Sequence, residues 1–136
     1  MKHIEVVAAV IIDNKKILCV QRGMNKYDYI SYKYEFPGGK PEKGETPEQA
    51  LKREIQEELK MDIQINYPFL TVHHDYPDFR ITLQAFICSS ENRELTLTEH
   101  IDAKWMDADL LATLDWAEAD IAVVDKIVYE GMEENT

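Results

Sequence analysis

Cysteine is nearly missing from this chain. The 136 residues hold two thiols, Cys19 and Cys88, each inside an apolar stretch, which predicts buried thiols rather than a disulfide framework. Basic residues are also scarce. Fifteen Lys and Arg face 26 Asp and Glu, for a net charge of −11 and a pI near 4.7. That balance argues against a protein that grips a long nucleic acid polymer by neutralising phosphates. A polyanionic ligand would need divalent cations as intermediaries. No apolar run is long enough to span a bilayer, so no membrane partner is expected. The start, Met1-Lys2-His3 leading into a run with Glu5 and Asp13, lacks the small-residue cleavage site of a secretory signal. Together these absences predict a reduced, cytoplasmic protein. The EF-hand loop pattern is absent too, which leaves an acidic calcium-binding module without support.

What is present points to one core. A hydrophobic content of 45% over this length suits a single domain over 1–136. Ile4 to Ile12 is a nearly continuous β-branched and alanine run, expected to be a strand buried on both faces. Asp13-Asn14-Lys15 reads as a turn, and Ile17 to Val20 as the partner strand. Arg22 to Tyr34 has no steady period and predicts a surface loop bordering a ligand pocket. Pro37-Gly38-Gly39 reads as a tight glycine turn.

Thr46 is placed to cap a helix, with Pro47 at its first position and Gln49 completing a capping box. That helix should end near Lys60 or Met61. Ile63 to Val72 and Phe79 to Cys88 predict two strands around a Tyr76-Pro77-Asp78 turn, and Trp105-Met106 a shorter one. Helical spacing of Val124, Ile127 and Val128 predicts a last helix from about Ala119 to Tyr129, followed by a frayed tail from Glu130 to Thr136. Strands interspersed with helices predict an α/β architecture: a mixed sheet covered by helices on both faces.

On the first helix Leu51, Ile55 and Leu59 form an apolar stripe, and Glu54, Glu57 and Glu58 gather on the adjacent face. Like charges at this spacing cost a few tenths of a kcal/mol per pair, so the arrangement is mildly unfavourable unless a cation is present. A plain solvated acidic face is the competing reading.

Gly39, Glu45, Arg53-Glu54-Ile55, Glu57-Glu58 and Met61 follow the order and spacing G-x(5)-E-x(7)-R-E-U-x-E-E-x-G-U, where U is a bulky apolar residue. The chain thereby resembles the MutT-like branch of the Nudix hydrolases, and Glu35-Phe36-Pro37-Gly38-Gly39-Lys40 and Gly44 to Ala50 extend the likeness. One position departs from the pattern: Lys60 stands where the box has a glycine that ends the helix in a left-handed turn. Lysine gives up about 1 kcal/mol or more in that conformation.

The resemblance implies a Nudix α/β/α sandwich around a central mixed β-sheet, and a metal-dependent pyrophosphohydrolase. It implies Mg²⁺, with Mn²⁺ as a substitute, held by Glu54, Glu57, Glu58, the carbonyl of Gly38 and the loop residue Glu99. Hard oxygen ligands of this kind suit that ion. Arg53 would orient the carboxylates, and Glu45 would support the loop. The catalytic base stays open between Glu54, which is preferred, and Glu99. The implied reaction is water attack on the β-phosphorus of a nucleoside triphosphate, giving a monophosphate and pyrophosphate.

For the substrate, Arg22 matches a phosphate-binding arginine of the family. Phe36 and Tyr76 could flank a base or simply pack. Asp120 stands where MutT reads its purine, and its Ala-Asp-Ile setting resembles CTP pyrophosphohydrolases. As an ionised acceptor it would favour donor-bearing bases, as in CTP, dCTP, 5-methyl-dCTP or 8-oxo-dGTP; as an alternative it caps the last helix. Trp116 walls the pocket or anchors that helix. His73 and His74 should point to opposite faces of their strand. The alternatives in function are a nucleotide-sugar pyrophosphatase acting on ADP-ribose-like substrates, and a nucleotide-sensing Nudix domain without turnover.

Overall fold

The computed structural model describes residues 1–131. Its centre is β1 (Lys2–Asp13), which is solvent-free from Val7 to Ile11. The hairpin to β2 (Lys16–Gln21) turns through Asn14 and Lys15, both at positive φ, the geometry that matches the twist of two-residue hairpins. On its other side β1 runs parallel to β6 (Phe79–Ser90), in register from Lys2 opposite Phe79 to Ile12 opposite Ser89. β5 (Ile63–Asp75) pairs antiparallel with β6 at the sheet edge. Its Pro68 is tolerated there because an edge strand leaves one row of N–H groups unpaired, and the register shifts around it. β7 (Asp102–Asp107) pairs with β2. It is longer than the Trp105-Met106 pair that the sequence marks.

Two short strands complete the sheet, β3 (Tyr34–Glu35) on β2 and β4 (Gly38–Gly39) on β1. They correct one sequence expectation. Pro37-Gly38-Gly39 is extended rather than a turn, because Gly38 lies opposite Ala8 so closely that a β-carbon would overlap the Val7 carbonyl. Glycine is required there by backbone approach, not by a turn conformation. The Arg22–Tyr34 segment is a loop that lines two cavities, as expected, and part of it packs inward. Tyr27 and Tyr29 stack at 5.2 Å, Tyr29 stacks on Tyr76 at 5.4 Å, and Ile30 is buried.

Alternation along β1 and β2 divides the core into two layers. Val7, Ala9, Ile11, Leu18 and Val20 face the stripe Ala50, Leu51, Ile55 and Leu59 of helix α1 (Pro47–Leu59). Ala8, Val10, Ile17 and Cys19 face Val123, Val124 and Ile127 of helix α2 (Glu118–Glu130). At roughly 1.5–3 kcal/mol for each large buried side chain, these two interfaces fix both helices to the sheet. The outcome is the expected mixed sheet between helical layers. A 3-10 turn (Ala108–Thr113) leads from β7 to Trp116, whose indole donates to the Leu111 carbonyl at 2.7 Å and stacks on Phe36 at 4.7 Å. Trp116 is thus an anchor of the α2 layer.

Cys19 and Cys88 are buried free thiols, and burial pushes each up to about 12. Glu130, expected in a frayed tail, is the last residue of α2; the rest of that tail from 132 on lies outside the described residues. Among the described residues no helix is long and apolar enough to cross a membrane.

Candidate active site

The start of α1 is set by its capping box. Thr46 accepts from the Gln49 amide at 3.1 Å, and the Gln49 side chain accepts from the Thr46 amide at 2.9 Å. One turn on, Arg53 gathers the acids of the preceding loop and of the helix. Its Nε and Nη2 donate to both Glu45 oxygens at 2.7 and 2.8 Å, Nη1 donates to Glu54 at 2.8 Å and Glu57 at 3.2 Å, and Nη2 also reaches the Lys40 carbonyl at 3.1 Å. This fork-on-carboxylate geometry is the strong form of ion pairing. It holds the Glu45 carboxyl down at about 2, helped by the Glu42 amide. Glu45 supports the loop, as expected.

The helix ends at Lys60, which takes the left-handed conformation (φ 56, ψ 37) despite its side chain. Lys60 satisfies the Gln56 carbonyl, and the loop after β6 satisfies the others. Thr96 donates its amide to Leu59 at 2.8 Å, while the Thr98 hydroxyl reaches Glu58 at 2.9 Å and Glu57 at 3.2 Å. Every orphan carbonyl of the last turn therefore has a donor.

Between this helix and the strands lies a cleft of about 430 Å³ lined by Arg22, Gly38, Glu54, Glu58, Glu99 and His100. Gly39 makes room for Glu54, since a β-carbon there would overlap the Glu54 carboxylate. Glu58 is 9% exposed, and its Oε2 is buried without a partner. Burial, then the charges of Glu54, Glu99 and Glu35 and a hydrogen bond with Glu54, push its carboxyl up to about 9. The crowding of these acids disfavours a second negative charge on Glu58.

Glu57 is not in the cleft. Its side chain is 59% exposed and turns to Arg53. The gathering of three helix carboxylates expected from the sequence is thus two, joined by Glu99 from the loop. Among the described residues no three acids, imidazoles or thiols are already set round one point as a finished metal shell. The donors nonetheless fit a hard divalent ion: they are all oxygens, they are too crowded with negative charge to ionise together, and one buried oxygen lacks any partner.

A second cavity of about 100 Å³ adjoins the cleft, and Arg22, Glu35, Gly38 and Gly39 line both. Phe36, Tyr76 and Asp120 line its inner part. Asp120 is fully inside α2, where the helix N-cap, Ala117, receives no side-chain cap. Its Oδ1 accepts instead from the Phe36 amide at 3.1 Å, which sets aside the capping alternative. Burial, then the charge of Glu35, raise the Asp120 carboxyl well above the usual range. Tyr76 is buried, and its hydroxyl accepts from the Ala119 amide at 3.0 Å. His73 bonds Thr82 and His74 bonds Glu118, on opposite faces of β5.

Two residues not singled out from the sequence stand here: Glu35 lines both cavities and His100 the cleft. Glu35 receives Arg22 at 3.3 Å on one oxygen and His100 at 3.0 Å on the other. Glu35 lay within the stretch that resembles MutT, but a lone acid beside an aromatic gives no local sign of a role. A larger cleft of about 490 Å³ beside Lys60 and Glu91 gathers none of these groups.

The profile of the NUDIX domain matches residues 1–127. An 8-oxo-dGTP diphosphatase of Proteus vulgaris is 42% identical over 96 residues, 70% of this chain and 84% of that protein. A CTP pyrophosphohydrolase of Escherichia coli K12 is 33% identical over 125 residues, 92% of this chain and 91% of the other. Among solved structures, the MutT protein of Methanosarcina mazei Go1 superposes with a TM-score of 0.84 at 19% identity, covering 97% of both chains.

Proposed function

This chain belongs to the Nudix hydrolase family, and from that membership we propose that it is a divalent-metal-dependent nucleoside triphosphate pyrophosphohydrolase. The observation that carries the reading is the cleft itself. Glu54, Glu58 and Glu99 crowd its wall, and it opens directly into a second cavity that ends at Asp120. A phosphate chain fits the first and a base the second.

Glu54, Glu58, Glu99 and the Gly38 carbonyl would hold Mg²⁺ or Mn²⁺, with Glu57 joining if it exchanges Arg53 for the ion. When bound, the ion supplies Lewis-acid polarisation of phosphate oxygens and a lowered pKa for water. Arg53 orients Glu54 by the 2.8 Å bond and leaves its second oxygen toward the cleft over Gly39. Glu54 is placed to take the proton as water attacks the β-phosphorus; Glu99, on the exposed loop, is the runner-up base. The bond from the β-phosphorus to the bridging oxygen breaks, that oxygen leaves on the monophosphate, and the water oxygen stays on pyrophosphate. Arg22, at the junction of the cavities, meets the phosphates, while Phe36 and Tyr76 wall the base and Asp120 reads its edge.

Relatives named for 8-oxo-dGTP and for CTP support a base with adjacent donors and acceptors. Pyrophosphate release from CTP, dCTP, 5-methyl-dCTP, 8-oxo-dGTP and ADP-ribose with Mg²⁺ tests the proposal. Metal-dependent turnover of one of the triphosphates is expected. Cleavage of ADP-ribose alone would assign the site to nucleotide sugars, and tight nucleotide binding without product would make the protein a sensor.

A further inference from the structure

Glu99 lies on an exposed connection between β6 and β7, yet both of its chain neighbours are fastened to the site. On one side the Thr98 amide donates to the Glu58 carbonyl at 3.2 Å, and its hydroxyl donates to Glu58 at 2.9 Å and Glu57 at 3.2 Å. These are the end carbonyls of α1, whose last turn holds no basic residue, so the loop supplies the donors that the helix terminus lacks. On the other side His100, its side chain 5% exposed, bonds the Glu35 carboxylate through Nε2 at 3.0 Å. A carboxylate only accepts, so the proton sits on Nε2. The next amide, Ile101, is pinned to the Gln21 carbonyl at 2.9 Å.

This arrangement opposes a repulsion. Glu58 and Glu99 line one cleft, so two like-charged side chains face the same space, and a solvent-exposed loop would relax outward unless held. We propose that Thr98 and His100 are positioning residues that brace Glu99 against the glutamate helix, one tying it to the α1 carbonyls and the other to Glu35. The proposal rests on the reading of Glu99 as a metal ligand. In it, the hydroxyl of Thr98 sets the distance from Glu99 to Glu58, and the His100–Glu35 bond sets the side from which Glu99 approaches. Partners that orient a ligand in this way change metal affinity about 10–100-fold when removed.

The test is Mn²⁺ titration of the intact protein followed by electron paramagnetic resonance, which reads binding without turnover. The variants are Thr98→Val, Thr98→Ser, His100→Phe, Glu99→Gln and the pairs of each brace variant with Glu99→Gln. Thr98→Val and His100→Phe are each expected to weaken Mn²⁺ binding about tenfold, while Thr98→Ser, which keeps the hydroxyl, stays near wild type. Each double variant should bind no more weakly than Glu99→Gln alone, since the brace acts only through that carboxylate. Losses that add in the double variants, or wild-type binding by both brace variants, overturn the proposal. Unchanged binding by Glu99→Gln itself overturns the ligand reading beneath it, a distinguishable result. If Thr98→Val does not fold, the His100→Phe cycle and the Thr98→Ser control decide.

Discussion

Replacing Glu58 with glutamine should make the metal-free protein more stable at neutral pH while removing its activity. The Glu58 carboxyl, ordinarily at 4.5, is held at about 9 by burial and by the charges of Glu54, Glu99 and Glu35. A pKa raised in the folded state means the contribution to stability is whole below pH 4.5 and is lost as pH rises toward 9. By pH 7 the unfolded chain has gained about two and a half pH units of ionisation that the folded chain resists. At about 1.36 kcal/mol per unit this is at most about 3 kcal/mol. Water reaching the open cleft lowers it to roughly 1–3 kcal/mol. Glutamine keeps the shape and cannot ionise. In urea unfolding with a chelator, Glu58→Gln should therefore exceed wild type by roughly 1–3 kcal/mol near pH 7, with the gap closing near pH 4.5. Added Mg²⁺ should then favour wild type, because an ion that binds only the folded state stabilises the chain that holds it better. A stability difference that stays flat with pH, or a variant weaker than wild type at pH 7 under chelation, would refute the reasoning.

Four further outcomes are expected. Gly38→Ala should cost about 1–3 kcal/mol in urea unfolding, since its new methyl meets the β1 backbone, which cannot yield. Gly39→Ala should unfold near wild type but lose about tenfold or more in kcat, because the methyl displaces the Glu54 side chain; equal stability losses in the two variants would contradict this contrast. Arg53→Lys should lower kcat with little change in melting temperature, because a lysine cannot hold Glu45 with a fork while orienting Glu54. Asp120→Asn should alter the ratio of kcat/KM between CTP and 8-oxo-dGTP more than it alters the better of the two rates, and an unchanged ratio in steady-state assays would remove Asp120 from base reading.

The elements whose signals are local were legible in the chain. Thr46, Pro47 and Gln49 specify the start of α1 through bonds within one turn. The β-branched run of β1 marks a strand that has a partner layer on each face. Pro37-Gly38-Gly39 was misleading because glycine serves both turns and close strand approach, and only the position of Val7 across the sheet separates the two. Glu57 was placed with Glu54 and Glu58 by helical angle, yet the angle fixes where a side chain leaves the helix and not where its carboxylate ends; Arg53 decides that.

By itself the sequence determined the family, the layered α/β sheet and the glutamate helix, since each is written in spacing along a few turns or strands. Tertiary structure alone decided that Glu57 turns away from Glu54 and Glu58 to Arg53, that Asp120 is buried against the Phe36 amide, and that Glu35 ties Arg22 to His100. The latter two join residues far apart in the chain, and their protonation depends on burial, which no local spacing encodes.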